Sequence, residues 1–220
     1  MILDELINEI ENVSLRKKVR TIIFQKDIFL GTKHKALDLE DAPASIRHHH
    51  SYSGGLLDHI KSTMKIALVL CDTIESVYHG KINRDYVIAG VLLHDFFKTV
   101  TYQKNEDNSY SLTMLGQKLD HLSLILAEAY RMNLPVEVLH ILAAHHGEDS
   151  PIRPHSIEAL VVNIADSADA KLINDVFNAA RWAMRDCIGK ETRQLSAEKA
   201  FQIVCVRQNE GCEGVIKIHE

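Results

Sequence analysis

Apolar residues recur every three to four positions along most of the chain, the period of helices with one buried face. Ile2, Leu3, Leu6, Ile7 and Ile10 predict a first helix, and Leu15, Val19, Ile22 and Ile23 a second. Gly31, Pro43, Gly54 and Gly55 make 31–55 irregular. Leu57, Ile60, Met64, Ala67 and Leu68 share one face of a long helix over 56–77. Asn83 and Asp85 can cap a helix running to about 97. The stretch 99–113 alternates in part around a polar middle and predicts a small β-hairpin. Helical spacing returns over 117–131. Pro135 suits a helix start, an apolar run over 138–144 follows, and Gly147 ends it. Pro151 and Pro154 exclude helix from 149–154, and Ser156 can cap a long helix to about 185. The tail from 196 reads as a further helix and then a short strand over 215–218. The fold class expected is all-α, a helical bundle with minor β structure.

Composition narrows the class. Hydrophobic residues at 46% and charged residues at 25% are ordinary for a soluble globular chain and exclude a disordered one. The longest apolar stretch, 87–93, is far below the ~18–20 residues of a membrane span. The N-terminal sequence MILDELINEIENV carries acids where a signal peptide needs basic residues. A cytoplasmic protein with no membrane contact is expected. Nothing marks a linker, so one domain over 1–220 is expected, with helices 1–30 and tail 196–220 as extensions of a motif-bearing core at about 45–171. The net charge of −5 counts against a broad basic face that coats nucleic acid. Cys71, Cys187, Cys205 and Cys212 form no C-x-x-C pair, and their scatter suits reduced, unpaired cysteines. A zinc site from Cys205, Cys212 and His219 is disfavoured because its spacing matches no common pattern.

Thirteen of the 220 residues are histidine, and their placement says more than their number. The runs HHHSYSGGLLDHI (48–60), HDFFK (94–98), LDHLSL (119–124), AAHHGE (143–148) and NIADSADAK (163–171) each set His or Asp at or near a helix end or on an apolar helix. Buried imidazole and carboxylate need partners, since an unpaired buried polar group costs about 1–3 kcal/mol. Convergence on a metal would satisfy all five segments, and such donors suit Mn, Fe, Co, Ni or Zn. Adjacent helix residues point about 100° apart. His94 and Asp95 can therefore face one ion only at a helix end, where the carboxylate could also bridge two.

This series resembles the HD-domain superfamily of metal-dependent phosphohydrolases. Within it, HH-x-Y-x-GGLL-D-H, HHGE and SP-x-x-P followed by EAL and AD-x-x-DAK are similar to the catalytic domain of HD-type 3′–5′ exoribonucleases. The resemblance implies a first metal held by His59, His94, Asp95 and Asp166. It implies a second at His121 and His145, with Asp95 bridging and metal-activated water hydrolysing a phosphoester. One or two divalent ions are implied, Mg²⁺ among the candidates. The chain departs from the pattern at Phe97, Asp120 and Asn163, and with only about 45 residues before the motifs, mostly helical, the OB domain that precedes the catalytic domain of those exoribonucleases is not expected in it. The substrate expected is a small nucleotide or a short nucleic-acid end; no protein partner is inferred.

Further roles follow. Lys98, at i+4 from His94, is assigned to phosphate charge alongside Asp95 as catalytic groups. His146 is assigned to phosphate or to orienting a ligand. His49, His50 and Tyr52 precede a Gly54-Gly55 hinge and are expected at the substrate mouth, with Tyr52 stacking on a base. Arg153 is a phosphate contact or a surface residue. His140 is expected in the core, and His34, His79, His155 and His219 on the surface. Asp169 is expected to support the site or a neighbouring helix, and His48 has no assigned task. Two other readings stand: a degenerate nucleotide sensor, and a diiron oxygenase, which Lys98 and the exoribonuclease-like motifs disfavour.

Overall fold

The computed structural model describes residues 2–24, 36–190 and 195–219. His34 and Gly31 lie outside them. The architecture is all-α with one small hairpin, as expected. The elements are α1 (Ile2–Asn8), α2 (Val13–Phe24), α3 (Gly55–Ser76), α4 (Arg84–Leu93), α5 (Lys98–Thr101), β1 (Tyr102–Lys104), β2 (Tyr110–Leu112), α6 (His121–Arg131), α7 (Val136–Ala144), α8 (Ile157–Ile188) and α9 (Ala197–Lys217).

Helix α4 is the centre of the main core. Every residue from Val87 to Leu93 is buried, and α1, α2, α3, α7 and α8 all pack on it. A helix apolar all round must be enclosed in this way. Gly90 allows the closest approach: a Cβ there would lie 2.5 Å from Ile141 Cγ2 on α7 and 3.4 Å from Val162 Cγ2 on α8. That tight packing sits one turn before His94, so it also fixes the end of the helix.

α4 stops at Leu93 instead of running to 97. Bonds from Phe96 N–H to Leu93 O and from Lys98 N–H to Asp95 O replace the helical ladder and start the short α5. Phe97, in the family's glycine place, fills the core and is 1% exposed. Asn83 caps α4 by accepting from the Tyr86 N–H, but Asp85 does not act as a cap. Its carboxylate accepts from the backbone N–H groups of Glu11 and Asn12, both at 2.8 Å, and so ties the α1–α2 turn to α4.

The hairpin is shorter than 99–113. Residues 98–101 turn helically, and only Tyr102–Lys104 pairs with Tyr110–Leu112, Tyr102 opposite Leu112. α6 begins at His121 because Asp120 caps it, accepting from the Ser123 N–H at 2.7 Å. Ser156 caps α8 by accepting from the Ala159 N–H.

A second cluster joins the far half of α8 to α9 through Phe177, Ala180, Met184, Ile203 and Val215. Gly211 (φ 69°) kinks α9, and the chain then stays helical to Lys217. The strand expected over 215–218 is therefore not formed: the only sheet among the described residues is β1–β2, which leaves no ladder for it, whereas a helical turn buries Val215. Cys187 at the end of α8 is bonded to Cys212 on α9. This corrects the expectation of unpaired cysteines and removes Cys212 from the Cys205–His219 zinc set.

The substitution Gly90→Ala drives a methyl group into Ile141 and should cost about 1–3 kcal/mol of stability by overpacking. Urea denaturation against the parent measures it; an unchanged midpoint would mean that α7 can give way.

Candidate metal centre

Five helices deliver donors to one buried point. His59 lies one turn into α3, and His94 and Asp95 lie at the break after α4. His121 opens α6, His145 and His146 follow α7, and Asp166 and Asp169 share a face of α8. His59, His94 and His145 are fully buried and Asp95 is nearly so.

The donors form two groups that meet at Asp95. In the first, His59 Nε2 is 3.2 Å from both His94 Nε2 and Asp166 Oδ1. Asp95 Oδ2 lies 3.4 Å from His59 Nε2 and 3.5 Å from His94 Nε2. In the second, Asp95 Oδ1 is 3.2 Å from His121 Nε2 and 4.0 Å from His145 Nε2, with His146 completing the set. All six residues expected as ligands are brought together, one carboxylate oxygen of Asp95 facing each group. His146, expected at phosphate or behind a ligand, joins as a further donor. The signal available in the sequence was the His-His pair directly after an apolar helix.

Hydrogen bonds fix the imidazoles. His94 Nδ1–H donates to Val91 O at 2.8 Å and His145 Nδ1–H to Leu142 O at 2.7 Å. His59 Nδ1–H donates to Asp169 at 2.7 Å. A carbonyl or carboxylate only accepts, so each ring, when neutral, turns an Nε2 lone pair to the centre. Two lone pairs facing each other at 3.2 Å repel unless a cation or a proton lies between them.

The decisive test of fit is what lacks a partner. Asp95 Oδ1, His121 Nε2, His145 Nε2 and Asp169 Oδ1 are buried side-chain atoms with no hydrogen bond among the described residues. The first three belong to the second group. Buried polar atoms are nearly always paired, so three orphans aimed at one point fit a cation.

The electrostatics agree. Burial pushes the Asp95 pKa up, but the Lys98 ammonium, His94, His121 and His59 outweigh it and hold the carboxyl well below its usual range. Asp166 is likewise lowered: burial opposes ionisation, and hydrogen bonding from His59 with the nearby His94 overcomes it. The His145 pKa is lowered to about 3, by burial first and then by His94 and His146. Lys98, 6% exposed, lies with Nζ 2.5 Å from Asp95 Oδ2.

Behind His59 the chain continues outward. Asp169 Oδ2 also accepts from His50 Nε2 at 2.8 Å, and His50 Nδ1 is 3.0 Å from the Tyr52 hydroxyl, which donates to Asp58 at 2.9 Å. His50 and Tyr52 are therefore not at the mouth. His50 is 2% exposed, and the Tyr52 ring is set edge-on to Phe177 in the second cluster. The reason is close approach: a Cβ on Gly55 would lie 2.1 Å from His50 O, so Gly55 lets the loop close onto α3 instead of serving as a hinge. His49 stays beside the site, its ring centroid 5.2 Å from that of His59. Arg153 is exposed, 3.6 Å from Glu148, and pairs with neither donor group among the described residues. His140 is half-buried and accepts from the His155 N–H. Asn163 donates to His145 O at 2.7 Å, bracing the turn after α7.

A family model described as HD domain matches residues 56–171, more than half of this chain. The chain belongs to the HD-domain family. It is 40% identical over 208 residues to a dihydroneopterin 2′,3′-cyclic phosphate phosphodiesterase of Methanocaldococcus jannaschii, covering 94% of this chain and 83% of that one. It is 29% identical over 181 residues to the 3′-5′ exoribonuclease YhaM of Listeria monocytogenes, covering 76% and 52%. The Bacillus subtilis YhaM is 32% identical over 155 residues, covering 66% and 47%. The chain thus spans about half the length of the exoribonucleases. No solved structure matches it. Membership makes it a metal-dependent phosphohydrolase of the HD family. No described helix is long and apolar enough to cross a membrane.

The substitution Asp169→Asn removes the carboxylate that orients His59, and should weaken divalent-ion affinity roughly 10–100-fold. Competition with a fluorescent chelator reads this directly. A second expectation concerns acid. His49 and His145 have pKa values near 3 in the fold against 6.5 ordinarily, chiefly through burial, and His94 and His146 are also lowered. Between pH 6.5 and 3 the unfolded chain takes up protons that the fold refuses, so stability falls as pH falls. Depressed Asp166 and Asp169 extend the loss below about pH 4, while His59, held high by its carboxylate partners, acts the other way. Tm of the metal-free protein should drop from pH 7 to pH 4; a rise would contradict this balance.

Proposed function

We propose that this chain is a phosphodiesterase that opens the five-membered cyclic phosphate of a small nucleotide-like compound, using divalent ions held at both donor groups. The observation that carries the reading is Asp95: one buried carboxylate offers an oxygen to each group, and three buried atoms of the second group lack partners. The cyclic-phosphate substrate is supported by likeness to the Methanocaldococcus phosphodiesterase along most of both chains.

His59, His94, Asp95 and Asp166 would hold one ion, and Asp95, His121, His145 and His146 the other; the imidazole-rich set suits Mn, Fe, Co, Ni or Zn better than Mg. Such ions lower the pKa of water toward ~7 and offset charge on phosphoryl oxygens. The chain's own groups do the rest. Lys98 keeps Asp95 ionised and sets a positive charge where a phosphate oxygen gains negative charge. His49, neutral near pH 7, offers its ring as a hydrogen-bonding wall beside His59. In the same reading the chain acts as one HD-type domain in the cytoplasm.

The test is turnover of 2′,3′-cyclic phosphates by protein loaded with Mn²⁺, Fe²⁺ or Zn²⁺, compared with chelated protein and with short RNA as substrate. Hydrolysis of the cyclic phosphates that chelation abolishes is expected. His121→Ala should reduce kcat at least 100-fold and lower the bound metal from two ions per chain to one. Metal-loaded protein inert toward cyclic phosphates overturns the proposal, and shortening of RNA by that protein would assign it to the exoribonuclease reading.

A further inference from the structure

A cleft of about 590 Å³ opens between the loop 45–48 and the β1–β2 hairpin. None of the residues lining it belongs to the donor groups. Its volume lies within the range of small-molecule sites, about 300–1,000 Å³. Three of its walls lead straight to the metal centre. His48 lines it, and the next residue, His49, lays its ring beside His59. Tyr102 lines it one helical turn after Lys98, and its N–H bonds to Lys98 O. Gln117 lines it four residues before His121. Tyr102 also feels the centre electrostatically: burial raises its pKa, and Lys98 and Asp95 both act on it.

The lining is suited to a flat, partly apolar ring with a polar edge. Ile46, Leu112 and the ring of Tyr102 supply apolar surface. Among the described residues, the Gln117 amide, the Arg47 guanidinium and the Tyr102 hydroxyl have no hydrogen-bond or ion-pair partner, whereas Tyr110 is anchored by donating to Asp41 O. Gln117 brings both donor and acceptor, the pair needed to read a ring amide. Arg47 can stack on or donate to a ring face. A phosphate alone would need neither the apolar wall nor the amide.

We propose that this cleft binds the planar heteroaromatic ring of the substrate, a nucleobase or a pterin, while the cyclic phosphate lies at Asp95 and Lys98. The placement of the phosphate rests on the phosphodiesterase reading, but ring binding can be measured without turnover.

The experiment has two arms, each with Gln117→Ala and Leu112→Glu, both at sites open to solvent, and with circular dichroism to confirm folding. In the first, free neopterin and guanosine, which lack phosphate, are titrated into metal-loaded protein and followed by fluorescence and calorimetry. Saturable binding that weakens at least tenfold in both variants is expected, and the preferred ring tells pterin from nucleobase. Absence of binding, or binding unaltered in the variants, overturns the proposal. In the second, kcat/KM is measured on guanosine 2′,3′-cyclic phosphate and on glycerol 1,2-cyclic phosphate, which has no ring. The ratio of the two should fall at least tenfold in the variants; an unchanged ratio overturns ring recognition. If the parent protein hydrolyses neither compound, the phosphodiesterase reading fails, and the first arm alone decides the cleft.

Discussion

The structure depends on keeping one carboxylate, Asp95, ionised in a place without water. Removing a charge from water costs several kcal/mol even after relaxation. Asp95 meets that cost with an ammonium on one side and imidazoles on the others. Lys98 is buried for the same reason, as the matching cation. The arrangement is unbalanced without a further positive charge: Asp166 and Asp169 are also held ionised, and the second group ends in unpartnered polar atoms. A divalent cation completes what the protein groups leave open.

Rigidity of the surroundings gives this centre its geometry. α4 is enclosed by five helices, so its end cannot drift, and the two residues that follow it are aimed by its packing. The imidazoles are fixed from behind: two by carbonyls of their own helices, and His59 by Asp169, which His50 and Tyr52 hold in turn. The loop 45–53 thus has two tasks. Its buried residues brace His59 from behind, and its outer residues form one wall of the hairpin cleft. A single segment couples the orientation of His59 to the shape of the cleft.

Much of this was legible in the residues. The helices follow from apolar spacing because a helix that packs must repeat every 3.6 residues. The six donors were readable because His or Asp on an apolar helix, or at its end, has few explanations besides a shared partner. Boundaries were less legible. The end of α4 and the helical tail depended on contacts that local pattern does not carry, the start of α6 rests on a local Asp120 cap that apolar spacing passes over, and Val215 to Ile218 reads equally well in either period. His50 and Tyr52 were misplaced because a polar loop after irregular sequence looks like a rim. Only the approach of Gly55 to the His50 carbonyl shows that the loop folds inward.

The sequence by itself determined the helical class and the family and named the candidate donors, since those depend on residue type and on spacing along one helix at a time. The resemblance also implied how the donors divide into two groups, and the tertiary structure supplied the distances between them. Tertiary structure alone decided that His146 joins them, that Asp169 stands behind His59, that Cys187 meets Cys212, and that a cleft lies beside Lys98 and His121. Each of these is a distance between segments far apart in the chain, fixed by how the buried faces pack together, and no local period encodes it.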